Sequence, residues 1–370
     1  MNRSDFGVRA AAGAICLFVS LFLPAHAHGP NSPPHQTHCL GDFKLESGEV
    51  ISDFCISYVT HGTLNESKSN AILMVPALGG NHHRIDYLIG PGRGLDSSKY
   101  FIIAADVMGN GLTTSPSNSK RQPRMKFPRF NVRDMVNSTE QLIVQKFGIE
   151  KLVAVAGASM GGMQGLQWAV SYPDKMQAVV AILPLARTTA WSTGATEMLR
   201  QSIMTDPEWN GGNYTNPPER GMRLWAAWLS SVIVRTPQIQ EALFPNNLDV
   251  LAHIKTTQDS NWKRIDANDW IYQSWAYDLH NVGTTPGFGG DYAKALKSIK
   301  AKVLIMAGTG DLLNPEYEAM EAARHIADVR YVPINEKLPM GHYSGAGATK
   351  PEIDFQNSEI TKFLITLSPH

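Results

Sequence analysis

Cysteine is scarce in this sequence, charge of neither sign is in excess, and internal repeats and low-complexity tracts are absent. The 370 residues include 3 cysteines, and 33 lysine and arginine residues balance 33 aspartate and glutamate residues. The balanced charge gives no indication of a nucleic-acid partner or of binding to an anionic membrane. Without repeats, a repeat architecture is not expected, and the length suffices for one to three domains with a large buried core.

Long apolar runs are also lacking, with one exception near the N-terminus. The run from Ala10 to Leu23 follows Arg3 and Arg9 and precedes the small-residue sequence Ala25-His26-Ala27. The run is shorter than the ~20 residues of a membrane span, and this order of features is typical of a secretory signal peptide. We therefore predict cleavage after Ala27 and a periplasmic or secreted protein with no membrane attachment. An uncleaved anchor is the alternative.

The two cysteines that remain after such cleavage are Cys39 and Cys55, in or beside a predicted hairpin with strands Phe43–Leu45 and Val50–Val59. An even pair in an oxidising compartment favours one disulfide, and two buried thiols are the alternative. Residues 28–38, rich in proline and histidine, are expected to form an extended, solvated leader, with weak metal binding as the alternative.

Beyond the hairpin, apolar strand patterns alternate with helical patterns. The strands are apolar throughout, which is typical of an α/β fold with a mostly parallel sheet and helices on both faces. The predicted strands are Asn70–Leu78, Tyr100–Val107, Lys151–Ala158, Met176–Leu185, Lys302–Ala307 and Val329–Ile334. The predicted helices are Arg133–Phe147, with Asn131 and Asp134 as a capping pair, Met160–Tyr172, Pro315–Ala327 and Glu352–Thr366.

The alternation stops between residues 187 and 298. This segment contains seven of the 8 tryptophans and no strand pattern. We predict that residues 187–298 form a helical lid inserted into an α/β core of residues 28–186 and 299–370, which follows a signal peptide of residues 1–27.

One serine stands between two glycines where the strand Lys151–Ala158 meets the next helix. The stretch from Gly157 to Gly161 fits the G-x-S-x-G pattern with Ser159 at its centre. Such a tight turn holds the serine in a strained conformation, and the helix N-terminus favours the negative charge that acyl transfer creates. Ser159 is therefore the predicted nucleophile, with a flexible surface turn as the alternative.

A serine nucleophile needs a base, and suitable residues follow two later strands. Asp311 comes directly after the strand Lys302–Ala307, and His342 follows the strand Val329–Ile334. We predict that His342 takes the proton of Ser159 and that Asp311 holds the other imidazole nitrogen. The alternatives are a structural histidine, Asp311 as a helix cap, and Asp278 as the acid.

The predicted oxyanion hole requires two backbone N–H donors. Met160 follows the nucleophile directly, and Leu78 lies in the glycine-containing loop after the first core strand. We predict that these two amides bind the oxyanion, and that losing one lowers the rate by ~100- to 1000-fold.

These motifs resemble the homoserine O-acetyltransferase branch of the α/β hydrolases. The resemblance is carried by VPALGG, LIGPGRGLDSSKYFIIAADVMGNG, FPRFNVRDMV, GASMGGMQGLQWAVSYPD, GTGDLLNPEYEAM and MGH. It implies an α/β-hydrolase fold, a Ser-His-Asp acyl-enzyme mechanism, a helical lid that forms a tunnel to the serine and, by analogy, a homodimer.

The substrate-binding positions implied by this resemblance fit less well. The family places an aspartate after the catalytic histidine to receive the homoserine amine, and here that position is Tyr343. Arg223 matches a lid arginine of the family, whereas Ser230 stands where the family has a tyrosine. Without the carboxylate, homoserine is not expected as the acceptor.

The predicted location adds a second argument, because an exported enzyme would lack acetyl-CoA. We therefore predict hydrolysis of a small or medium carboxylic ester, with Arg223, Tyr343 and Trp225 as candidate substrate contacts. Arg223 as a surface residue and the tryptophans as lid core are the alternatives. Two other function classes stay open: an acyltransferase with a small acceptor, and a non-catalytic binding module.

No cofactor is expected. His82 and His83 lie beside the predicted oxyanion loop, but no carboxylate or cysteine is spaced to complete a metal site with them. The sequence therefore predicts no metal.

Overall fold

An eight-stranded sheet forms the centre of the protein in a computed structural model that describes residues 33–334 and 337–367. The predicted signal peptide, residues 1–27, lies outside the described residues. The strand order is β1-β2-β4-β3-β5-β6-β7-β8; β1 and β2 pair antiparallel, as do β2 and β4, and the other pairs are parallel. The strands are β1 (Gln36–Lys44), β2 (Val50–His61), β3 (Ala71–Val75), β4 (Phe101–Ala105), β5 (Leu152–Ala158), β6 (Met176–Ile182), β7 (Lys302–Gly308) and β8 (Val329–Ile334).

The helices among the described residues lie on both faces of this sheet and in one long insertion. They are α1 (Val132–Gln141), α2 (Met160–Ser171), α3 (Ala190–Met204), α4 (Glu219–Trp228), α5 (Pro237–Leu243), α6 (Asn247–Asn261), α7 (Ala267–Asp278), α8 (Tyr292–Lys297), α9 (Glu316–His325) and α10 (Lys350–Leu364). The predicted capping box is confirmed at α1, where the side chains of Asn131 and Asp134 each accept from the other residue's backbone N–H.

The central strands are buried along their whole length because each face of the sheet has its own apolar layer. On β3, for example, Leu73 and Val75 belong to the layer that includes α1 and α2, whereas Ile72 and Met74 belong to the layer that includes α10. Side chains alternate across a strand, so covering both faces removes the polar alternation from the sequence.

The N-terminal strand is longer than the predicted hairpin strand. Residues 36–38, which were expected to belong to a solvated leader, pair with β2, and Gln36 lies opposite Tyr58. This pairing depends on a partner strand about twenty residues away, so the polar residues of this edge strand carry no local signal for it. The predicted disulfide is confirmed: Cys39 and Cys55 are bonded and lie opposite each other in the register of β1 and β2.

Between β6 and β7 the chain forms a helical insertion, α3 to α8. Its own apolar cluster is built from residues such as Trp209, Trp225, Trp262 and Trp270. Within the described residues, no helix combines the length and apolar character that crossing a membrane requires.

A buried carboxyl group lies at the start of α10. Glu352 is 2% exposed, and its carboxyl group accepts backbone hydrogen bonds from the loop 347–349. Burial raises the pKa of Glu352 to about 8 despite these hydrogen bonds and the nearby Arg84. The folded chain therefore keeps a proton that an unfolded glutamate loses at about pH 4–5.

This shift predicts a pH-dependent difference between the wild type and Glu352→Gln. From about pH 4.5 to pH 8 the unfolded state binds fewer protons at this site than the folded state, so wild-type stability falls as pH rises. Glutamine does not titrate, and the variant should gain up to about 5 kcal/mol relative to wild type across this window. Urea unfolding at several pH values measures the difference; parallel stability curves for the two proteins would contradict it.

Candidate active site

Ser159 lies in a tight turn between β5 and α2. Its backbone has φ 58° and ψ −122°, a left-handed conformation that is unfavourable for a residue with a side chain. The flanking glycines make the turn possible. A Cβ on Gly161 would lie 2.4 Å from the backbone oxygen of Val75, and one on Gly157 would lie 2.6 Å from the backbone of Gly161.

The structure brings Ser159, His342 and Asp311 together. His342 Nε2 lies 2.8 Å from Ser159 Oγ, and His342 Nδ1 lies 2.7 Å from Asp311 Oδ2. All three residues are buried, with Ser159 only 3% exposed. These two contacts form a continuous hydrogen-bonded chain from the Asp311 carboxylate to the Ser159 hydroxyl. This arrangement lets an imidazole accept the serine proton.

The acidic residue of this chain is held from two sides. Asp311 Oδ1 accepts hydrogen bonds from the backbone N–H groups of Leu313 and Asn314, at 2.8 and 2.9 Å, while Oδ2 faces His342. The carboxylate therefore caps the turn after β7 and, at the same time, contacts the imidazole. The alternative acid, Asp278, instead pairs with Arg200 at 2.5 Å in the helical insertion.

Two backbone amides, those of Met160 and Leu78, are the predicted donors of the oxyanion hole. Met160 is the first residue of α2, so its N–H has no acceptor within the helix. Leu78 lies in the loop after β3, and its N–H donates to no acceptor within the described ranges. The same loop contacts α2 directly, because Gln164 Nε2 donates to the carbonyl of Pro76 at 3.1 Å.

A residue of the helical insertion also holds this loop, and the sequence offered no sign of it. Gln273, on α7, accepts the N–H of Gly79 at 2.8 Å and donates to the carbonyl of Met108 at 3.1 Å. Its side chain is fully buried. Gln273 is 194 residues from Gly79 in the chain, so neither spacing nor a local motif indicates the contact.

The predicted substrate contacts are not brought together. Arg223 lies on the outside of the insertion, where it pairs with Glu219 at 2.7 Å and Asp259 at 2.5 Å. These ion pairs agree with the surface alternative for this arginine. Trp225 is buried in the insertion, with its ring 5.5 Å from that of Trp270.

Tyr343, which follows His342, lies against a cation. The Arg235 guanidinium is 5.0 Å from the centre of the Tyr343 ring, and the N–H of Tyr343 donates to the carbonyl of Val234 at 2.7 Å. Burial raises the pKa of the Tyr343 hydroxyl, so this side chain is neutral at physiological pH.

A cavity of about 510 Å³ lies beside the loop after β3 that carries Leu78. It is bounded by the helical insertion and the segment 110–117. Trp262, Arg264, Ile265 and Asp269 line it, whereas Ser159 does not. A Cβ on Gly79 would lie 3.6 Å from Ile265, so this lining residue also borders the loop that carries Leu78.

Known proteins resemble this chain over most of its length. A model of the α/β hydrolase fold family matches residues 70–345. The chain belongs to the α/β-hydrolase family. The homoserine O-acetyltransferase of Leptospira biflexa serovar Patoc is 34% identical over 332 residues, which cover 81% of this chain and 86% of that protein. The homoserine O-acetyltransferase of Carboxydothermus hydrogenoformans is 34% identical over 339 residues, 81% of this chain and 88% of that protein.

Solved structures agree with this assignment. An acetylester hydrolase from Corynebacterium glutamicum has a TM-score of 0.82 and 30% identity, covering 90% of this chain and 96% of that one. A homoserine O-acetyltransferase from Bacillus anthracis has a TM-score of 0.80 and 25% identity, and the match covers 90% of this chain and 97% of that one. The predicted fold and the resemblance to the homoserine O-acetyltransferase branch are confirmed. The prediction that the chain is an enzyme of the α/β-hydrolase superfamily is confirmed as well.

The prediction of an exported ester hydrolase is wrong on these comparisons. The relatives that span four-fifths of the chain are named as acetyltransferases, and they do not support a periplasmic or secreted location. That location rested chiefly on residues 1–27, which lie outside the described part of the chain. Hydrolysis had been inferred from two arguments, the missing acceptor carboxylate at Tyr343 and the expected lack of acetyl-CoA in an exported enzyme. The second argument fails with the location.

Two glycine-to-alanine variants test the turn around Ser159. In Gly161→Ala the new methyl group meets the Val75 carbonyl, so the backbone must shift. We expect a loss of about 1–3 kcal/mol in stability and at least tenfold slower labelling of Ser159 by a fluorophosphonate. Gly194→Ala is the matched control, because an added Cβ on α3 meets nothing within 4 Å. Equal labelling rates in both variants would contradict the steric argument.

Proposed function

We propose that this enzyme is an O-acyltransferase that moves a small acyl group from an activated donor to the hydroxyl group of a small acceptor. The observation that carries the proposal is the chain Asp311, His342 and Ser159, with contacts of 2.7 and 2.8 Å in a buried site. The names of the relatives support acyl transfer as the reaction and an acetyl group as the acyl group.

In the first half-reaction, the Ser159 oxygen attacks the carbonyl carbon of the donor while His342 Nε2 takes the serine proton. The negative charge that develops on the carbonyl oxygen is stabilised by the N–H groups of Leu78 and Met160. The leaving group takes the proton from His342 and departs, and an acyl ester remains on Ser159. Asp311 stabilises the imidazolium and holds the ring in one orientation.

In the second half-reaction, the acceptor hydroxyl replaces the donor. His342 removes its proton, the acceptor oxygen attacks the ester carbonyl, and Ser159 regains its proton as the acylated acceptor leaves. Water competes with the acceptor at this step. The low exposure of Ser159 supports transfer, because a buried nucleophile meets few water molecules. We include the role of residues 187–298 as a lid in this proposal.

The acceptor is proposed to be recognised without an ion pair to its amine. The position after the catalytic histidine carries Tyr343, which is neutral and lies against Arg235. An aromatic ring and a guanidinium provide no anionic partner for an ammonium group, whereas a guanidinium pairs readily with a carboxylate. We therefore propose a hydroxy acid as the acceptor. We also propose that the partners of the enzyme are small molecules, which bind one at a time.

A transfer assay with two matched acceptors tests the function. The purified enzyme is mixed with acetyl-CoA or p-nitrophenyl acetate as donor and with L-homoserine or γ-hydroxybutyrate, which is homoserine without its amine. Mass spectrometry then measures the acetylated acceptor and free acetate. We expect more acetylated acceptor than acetate at saturating acceptor, and a higher kcat/KM for γ-hydroxybutyrate.

The controls are Ser159→Ala, which should lose activity by at least about 10³-fold because no acyl-enzyme forms, and Ser67→Ala, an exposed serine that should not matter. Acetate as the only product at every acceptor concentration would contradict acyl transfer. A preference for homoserine would contradict the acceptor class while leaving acyl transfer in place.

A further inference from the structure

A group of histidine and aspartate side chains lies outside the catalytic chain, next to the oxyanion loop. This histidine cluster consists of His35, His82, His83, Asp86 and Asp106. His82 and His83 follow the loop that carries Leu78, Asp106 directly follows β4, and His35 directly precedes β1. The proposed acyl transfer uses none of these residues.

Each imidazole of the histidine cluster is held through the same ring nitrogen. His82 Nδ1 lies 2.9 Å from Asp106 Oδ2, and His83 Nδ1 lies 2.6 Å from Asp86 Oδ2. His35 Nδ1 lies 3.3 Å from the hydroxyl oxygen of Ser57. An oxygen acceptor on one ring nitrogen is the usual arrangement of a histidine that binds a metal ion through its second nitrogen.

The second nitrogens of two of these rings converge. His82 Nε2 and His83 Nε2 are 3.1 Å apart. With metal–nitrogen bonds of ~2.05 Å, that separation corresponds to a bond angle of roughly 98° at one ion, close to tetrahedral or octahedral values. The ring centres of His35 and His82 are 4.5 Å apart, and one donor atom each from His35, His82 and Asp106 lies within 4.8 Å of the others.

The surroundings also favour a cation. His82 and Asp106 are both fully buried, and Asp106 Oδ1 accepts further hydrogen bonds from the His82 backbone at 3.0 Å and from Asn110 at 2.9 Å. A buried carboxylate needs a compensating positive charge or several donors.

We propose that the histidine cluster binds one divalent transition-metal ion of the zinc class. The Nε2 atoms of His82 and His83 are two ligands, and Asp106 and Asp86 orient these imidazoles. His35, whose donor atom lies within 4.8 Å of one on His82 and one on Asp106, is the third ligand. Imidazole ligands select zinc, nickel, copper or cobalt over magnesium and calcium, which prefer oxygen. The local spacing of residues around His82 gives no sign of such a site, because Asp106 is 24 residues away in the chain.

The ion would join two separate parts of the chain. His35 belongs to the segment before β1, and His82 and His83 belong to the loop after β3, whose Gly79 N–H is already fixed by Gln273. Holding this loop from its far end would restrict the Leu78 amide. The role is structural rather than catalytic, because the ligands lie outside the chain from Asp311 to Ser159.

The test is metal binding by the full-length protein after chelator treatment and dialysis, with Zn²⁺ as the ligand in titration calorimetry and Co²⁺ in visible spectroscopy. We expect about one Zn²⁺ per chain, visible ligand-field bands with Co²⁺, and no binding of Mg²⁺. In His83→Gln and in His35→Gln, an exposed position, the Kd for Zn²⁺ should rise at least about tenfold.

The matched control is His325→Gln, because His325 also pairs with a carboxylate, Glu321, but lies on α9. Its Kd for Zn²⁺ should equal that of the wild type. Circular dichroism checks the fold of every variant. No uptake of Zn²⁺ by the wild type would mean that a shared proton links His82 and His83, and equal affinity in wild type and both cluster variants would mean an adventitious ion only. Either result overturns the proposal, and neither depends on acyl-transfer activity.

Discussion

The close approach of Gly161 to the carbonyl of Val75 is the contact on which the site depends. A side chain at residue 161 would lie 2.4 Å from that oxygen, so only glycine lets α2 start this near to β3. The contact places Ser159 at the N-terminus of α2 and, on the other side, the loop after β3 that carries Leu78. The predicted nucleophile and the loop that carries Leu78 are therefore positioned by the same backbone packing. Gln164 reinforces it through its hydrogen bond to Pro76.

Much of the fold and of the catalytic chain could be predicted from the sequence because the signals are local. Strands buried on both faces are apolar throughout, and the order of Ser159, Asp311 and His342 along the chain places each at a strand end on one edge of a parallel sheet. Contacts between distant segments carried no such signal. Gln273 reaches Gly79 across 194 residues, and β1 extends to Gln36 because β2 supplies its hydrogen bonds.

The substrate side of the site was the least predictable part. Arg223 was matched to a family position by its place in the lid sequence, yet the structure turns it outward to Glu219 and Asp259. A helix exposes a different residue at each position, so an error of one or two residues in alignment moves a side chain to another face. The function was mispredicted for another reason: location was inferred from an N-terminal pattern, and the reaction was then inferred in part from the location.

The central claim is that Ser159 carries an acyl group between donor and acceptor. Rapid acid quenching of the enzyme with an acetyl donor and no acceptor, followed by intact-mass and peptide mass spectrometry, measures this directly. The account predicts one acetyl group per chain, located on the peptide that contains Ser159, and its loss when a hydroxy-acid acceptor is added before the quench. Acetylation at another residue that responds to the acceptor, or an unmodified Ser159 during steady turnover, would contradict it.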